Sequence, residues 1–131
     1  MIPRTVNARL EILIRIPILN AAAQEQEVEA ILDTGFTGSL TLPPVLITNL
    51  GLSWRSRANA VLANGIVEQF DISAATVLWD GKPRQILVDA TDTAPLLGMA
   101  LLEGHDLRAR VMAGGGVQIE AIPAAADQQQ P

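Results

Sequence analysis

Cysteine is absent from the 131 residues, and only one histidine occurs. The missing thiol excludes a disulfide framework, a thiolate metal site and a cysteine nucleophile. The histidine, His105, is the sole base open to a Ser-His-Asp triad, and no nearby serine points to that use. In Glu103-Gly104-His105-Asp106 it reads as a solvated turn residue. Basic residues are scarce: 9 Lys and Arg stand against 14 Asp and Glu, a net charge of -5. That balance argues against a nucleic-acid partner, because phosphate binding needs clustered Lys and Arg. No segment approaches the length of a membrane span. The chain is expected in the cytoplasm, as a soluble protein of a reducing compartment. Aromatic residues make up 3% of a chain that is 49% hydrophobic, so the core must come from Leu, Ile, Val and Ala. The length suits one domain with a real core.

Near the N-terminus an apolar run ends in Ala21-Ala22-Ala23, as a signal peptide would. Arg9, Glu11 and Arg15 interrupt that run, where a secretory segment is apolar. Leu10, Ile12, Ile14, Ile16 and Ile18 fall on alternate positions, which predicts a half-buried strand over 6–19. Asn20 to Gln24 is the turn after it. A second strand spans 27–33, with Val28, Ala30 and Leu32 on one face, and a third spans 39–42. Pro43-Pro44 opens a helix over 45–50, closed by Gly51. Strands 58–63 and 66–79 flank Asn64-Gly65, a strong hairpin signal. Asp80-Gly81 turns the chain into a strand over 84–88. A short helix spans 99–103, and strands 108–112 and 117–122 surround Gly114-Gly115-Gly116. The expected architecture is all-β, with one or two short helices in a domain of residues 1–122. Residues 123–131, rich in Ala, Gln and Pro, are expected to be a disordered tail.

Chemistry concentrates in Ala30-Ile31-Leu32-Asp33-Thr34-Gly35-Phe36-Thr37-Gly38-Ser39. A carboxylate at the end of a buried strand is costly unless something satisfies or uses it. Gly35 allows a sharp turn that brings its N–H toward that carboxylate, and the Thr34 hydroxyl can both donate and accept. Downstream come the glycine-tipped hairpin at Asn64-Gly65 and the segment Pro95-Leu96-Leu97-Gly98 before a short helix. This ordered set resembles the retropepsin-like aspartic proteases, single-lobe relatives of pepsin, over roughly residues 6–122. The wording Leu40-Thr41-Leu42-Pro43 and Pro95 to Leu102 is similar to bacterial and archaeal clan AA proteins. Two features depart from the viral members: Phe36 stands where they carry Ala or Ser, and a helix falls at 43–51.

The resemblance implies an acid-protease barrel that hydrolyses peptide bonds in a peptide or protein substrate. It implies Asp33 as the catalytic carboxylate, Thr34 and Gly35 as supports of its loop, and a flap tip of Ala63, Asn64 and Gly65. Phe36, Leu97 and Gly98 would join the flap tip around the substrate. Two carboxylates are needed and the chain has one Asp-Thr-Gly, so activity implies a homodimer with Asp33 from each subunit on the two-fold axis. Val117 to Ile122 is the candidate interface strand, with residues 1–5 as an alternative that Pro3 limits. No metal or organic cofactor is implied. Asp92-Thr93-Ala94 does not end a strand and reads as a polar turn. Asp89 and Asp92 lack further ligands at metal spacing, and the triple glycine lacks the helix that a phosphate cradle requires. Trp54 and Trp79 read as packing residues, with Trp54 also placed to line a groove. An alternative from another class is a catalytically inactive dimeric barrel that binds peptide or a protein partner in its cleft.

Overall fold

Strict alternation builds the second strand. Ile14, Ile16 and Ile18 are at most 1% exposed, while Arg15 between them faces solvent. The computed structural model describes residues 4–123. In chain order it contains β1 (Arg4–Val6), β2 (Ile12–Leu19), β3 (Glu25–Leu32), β4 (Leu40–Leu42) and α1 (Pro44–Leu50). Beyond α1 lie β5 (Ser53–Val61), β6 (Val67–Trp79), β7 (Lys82–Ala90), β8 (Leu96–Leu97), α2 (Met99–Leu102), β9 (His105–Ala109) and β10 (Val117–Ala121).

Eight strands form one sheet in the order β1-β2-β3-β8-β4-β7-β6-β5, and an added β2–β6 pairing curls it toward a barrel. β9 and β10 form a separate antiparallel pair. The two-residue β8 joins the two halves of the large sheet. It runs parallel to β3, with Leu97 beside Leu32, and antiparallel to β4, with Leu97 beside Leu40. The core is aliphatic, as the composition requires: Leu40, Leu42, Leu97 and Leu101 are fully buried. Thr41 is buried too, and its Oγ1 accepts the Leu96 N–H at 3.0 Å. α1 ends as the sequence foretold, with Gly51 left-handed and its N–H on the Thr48 carbonyl.

Several boundaries differ from expectation. The strand expected over 6–19 is two strands, because Asn7 makes a turn. Asn7 Oδ1 accepts the Arg9 and Glu11 amides, its Nδ2 donates to Glu11, and Leu10 is left-handed and 56% exposed. The apolar alternation thus runs past the end of the sheet. The same turn recurs at Asn20, where Ala23 takes the left-handed position, and Gly65 takes it in the Leu62–Ile66 turn. β3 covers 25–32, so Asp33 lies just beyond it. β5 starts at Ser53, five residues early, with a bulge between Trp54 and Ser56. β9 starts at His105 and ends at Ala109, three residues before the expected strand.

His105 is therefore a half-buried strand residue, contrary to the solvated turn expected. The buried Trp79 indole N–H needs an acceptor and donates to His105 Nε2 at 3.2 Å, with the rings edge-on at 5.9 Å. Nδ1 lies 3.1 Å from the Glu103 carbonyl, so the neutral ring is the Nδ1–H tautomer. The tail expected to be disordered lies, apart from Pro123, outside the described residues, as do residues 1–3 of the alternative interface segment.

Candidate active site

β3 delivers Asp33 to the end of the barrel, and β8 fixes it there. The Asp33 N–H donates to the Leu97 carbonyl at 2.9 Å, extending the parallel β3–β8 pairing by one residue. The carboxylate Oδ1 accepts the Gly35 N–H at 2.9 Å, as the sequence led us to expect. The Phe36 N–H closes the turn on the Asp33 carbonyl at 3.1 Å. An added Cβ on Gly35 would stand 3.2 Å from Asp33 Oδ1, so glycine is what lets that amide approach. Asp33 is half-buried, and Thr34 and Gly35 are exposed.

The loop returns against the start of α2. Gly98 N–H donates to the Ser39 carbonyl at 2.9 Å, Met99 N–H to the Phe36 carbonyl at 2.8 Å and Ala100 N–H to the Gly38 carbonyl at 3.1 Å. Phe36 lays its ring over two glycines. A Cβ on Gly38 would meet its Cζ at 2.5 Å, and one on Gly98 would meet its Cδ2 at 2.5 Å and also collide with the Gly38 carbonyl. One part of the ring is thus packed on its own loop, and the residue remains half-exposed. Leu97 is fully buried and offers the site its carbonyl.

Ala63, Asn64 and Gly65 sit at the tip of the β5–β6 hairpin. Leu62 N–H bonds the Ile66 carbonyl at 2.8 Å, Asn64 Oδ1 accepts the Ile66 N–H at 3.0 Å, and Gly65 is left-handed. Val61, Leu62, Ile66 and Val67 around that tip are all exposed, so the hairpin presents branched apolar surface to solvent. At its base Asp71 Oδ1 accepts from Trp54 Nε1 at 3.1 Å and from Arg57 Nε at 3.2 Å. These two donors, Trp54 first, hold the Asp71 carboxyl below its ordinary value. A cavity of about 420 Å³ lies between α1 and this base, lined by Ile47, Leu52, Trp54, Asp71 and Ala90 among others. Trp54 is thus exposed and lines a groove, whereas Trp79 is buried. Asp89 is half-buried on β7, and burial raises its carboxyl above the ordinary value.

Two expected site segments, the Asp33 loop and Leu97-Gly98, are brought together by direct bonds, while the hairpin tip belongs to a separate edge of the sheet. Asp92, Thr93 and Ala94 form a bend, with the Thr91 and Thr93 hydroxyls 3.2 Å apart. Sequence reasoning passed over Arg84, whose Nη2 and Nη1 donate to the Ala100 and Leu101 carbonyls at 2.9 and 3.1 Å. Its signal was parity: Arg84, Ile86 and Val88 share one face of β7. Among the described residues no group of three or more His, Asp or Glu is placed to hold a metal. No helix among them is long and apolar enough to cross a membrane.

No protein-family model matches the sequence, and no curated protein matches it. Among solved structures, the chain is similar to the crystal structure of a retropepsin-like aspartic protease from Rickettsia conorii. The match covers 94% of this chain and 93% of that one, with a TM-score of 0.53 and 16% sequence identity. At that identity the likeness is one of fold: this chain is an all-β barrel of the retropepsin-like type.

Proposed function

We propose that the chain is an aspartic endopeptidase that works as a homodimer, with residues 1–122 as the protease domain and the cytoplasm as its place of action. The observation that carries this reading is Asp33 itself. Its carboxylate is held at one oxygen by the Gly35 amide, in a loop braced by β8 and α2, and left half-exposed at the end of the barrel. A structural aspartate with only a turn to close has no need of that second-segment bracing.

Two Asp33 carboxylates meeting on a two-fold axis share one proton, because two like charges at close range resist joint ionisation. The ionised partner takes a proton from a water molecule as it attacks the peptide carbonyl. The protonated partner donates a hydrogen bond to the carbonyl oxygen as the carbon becomes tetrahedral. The proton taken from water then passes to the departing amine nitrogen as the C–N bond breaks. Thr34, exposed in the single chain, bonds across the axis and ties the two loops together. Ala63, Asn64 and Gly65 close over an extended peptide and exclude water, with half-buried Phe36 beside it and Leu97 and Gly98 shaping the floor. Val117 to Ile122 contributes to the subunit contact. No metal or organic cofactor and no nucleic acid enters this scheme.

The test is cleavage of a diverse peptide library from acidic to neutral pH by the wild type and by Asp33→Asn. Asp33→Asn should lose at least about a hundredfold in rate, the scale of removing a general base. Equal cleavage by both proteins defeats the assignment. One observation favours a second reading, a dimeric barrel that binds peptide without cutting it. The apolar hairpin tip of Val61, Leu62, Ile66 and Val67 would hold a peptide whether or not it is then hydrolysed. A folded dimer that binds peptides and yields no products at any pH would establish that alternative.

A further inference from the structure

We infer that Arg84 is a positioning residue for the Asp33 loop, acting through helix α2 and not by contact. Its consequence for catalysis rests on the protease reading above. β7 alternates cleanly: Ile86 and Val88 face the core, Gln85 and Leu87 face out, and Arg84 falls on the inward parity opposite Val77, which is fully buried. A guanidinium in that direction must find hydrogen-bond acceptors, since its charge remains at any working pH. Neither of the ion pairs among the described residues, Arg15–Glu29 and Arg57–Asp71, involves it. Its partners are two successive backbone carbonyls, those of Ala100 and Leu101.

Those carbonyls are groups that a four-residue helix cannot satisfy internally. The forked guanidinium suits two adjacent oxygens, which a single ammonium does not. The opposite end of the same helix holds the loop, because Met99 and Ala100 donate their amides to the Phe36 and Gly38 carbonyls. Ala100 is bonded at both ends, its amide to Gly38 and its carbonyl to Arg84. A continuous path of hydrogen bonds therefore runs from strand β7 through α2 into the loop whose turn sets the Asp33 carboxylate. Buried Leu101 and Leu102 set the depth of the helix. Arg84 sets how its peptide groups are aimed.

The test compares Arg84→Met, which keeps the stem and removes the fork, with Arg84→Lys, which keeps the charge. Amide hydrogen exchange at Met99, Ala100 and Gly35 reads the bracing directly, without reference to catalysis. For Arg84→Met, the Met99 and Ala100 amides should lose about tenfold in protection, a local opening within an otherwise folded domain. On a peptide that the wild type cleaves, kcat should fall about tenfold with KM within about twofold, as expected when reacting groups are misaimed. Arg84→Lys should restore part of both. Unchanged exchange and unchanged kcat would overturn the inference and assign the bracing to Leu101 and Leu102 alone. Uniform loss of protection across the whole barrel would also overturn it, since that is ordinary destabilisation. If Arg84→Met does not fold, the same measurements on Arg84→Lys decide. If the wild type cleaves nothing, the protease reading fails and the exchange data still decide the bracing.

Discussion

Two turns carry the proposed chemistry, and they are built on opposite terms. The Asp33 loop is gripped from outside itself: Leu97, Gly98, Met99 and Ala100 each exchange a backbone bond with it. The hairpin tip at Ala63, Asn64 and Gly65 is held by bonds within its own turn. Their glycines show the contrast. A Cβ on Gly98 would strike the Gly38 carbonyl and the Phe36 ring, whereas a Cβ on Gly65 would meet nothing within 4 Å. One glycine is demanded by packing, the other only by its left-handed φ of 82°. A carboxylate that must meet its twin needs a fixed loop, while a cover over a substrate needs freedom to open. Local bonding density separates the two.

Gly98→Ala should break the comparison most severely. The obstruction is partly backbone, which cannot swing aside, so the cost should reach at least about 3 kcal/mol in denaturant unfolding. Phe36→Ala should come next. It removes a half-buried ring from between Gly38 and Gly98 and should cost about 2 kcal/mol, less than a fully buried phenylalanine would. If Phe36→Ala changes KM and leaves stability untouched, the ring serves substrate more than loop. Gly65→Ala should cost only about 1 kcal/mol, the strain of a left-handed alanine. A loss from Gly65→Ala as large as that from Gly98→Ala would mean that the tip is packed against something in the native assembly.

The smallest effect concerns the hairpin base. Trp54 and Arg57 lower the Asp71 carboxyl, so the folded state favours its ionised form. The resulting stability is present above the ordinary carboxylate value of 3.8 and is lost as pH falls through the lowered folded value. Melting temperatures of wild type and Asp71→Asn should therefore differ near neutral pH, with the wild type higher, and converge in strong acid. Asp89 carries the opposite sign: burial raises its carboxyl, so its ionisation costs stability and acidification restores it. A gap that widens on acidification would show that Asp71 is not the group being read.

Much of this was legible residue by residue. The alternation of Ile14, Ile16 and Ile18, the Pro-opened and Gly-closed α1, the Asp80-Gly81 turn and the Asp33–Gly35 bond all obey local rules. The turn at Asn7 was harder, because its left-handed residue is Leu10, where glycine is the usual signal; the Asn20–Gln24 turn was legible even though its left-handed residue is Ala23. A side-chain amide that caps two backbone N–H groups offsets that strain. The early start of β5 was hidden as well, since Trp54 and Ser56 straddle a bulge that breaks the alternation.

The sequence by itself determined the aliphatic core, the β-rich architecture and the identity of the one loop worth a catalytic proposal. Periodicity and turn chemistry are local, and a reader of the chain can apply them without knowing where anything lies. Only the tertiary structure decided that β8 slips between β3 and β4, that Phe36 rests on Gly98 sixty-two residues away, and that Arg84 turns inward to two helix carbonyls. Those contacts depend on which distant backbone groups would otherwise stay unpaired, and that is settled only when the whole sheet closes.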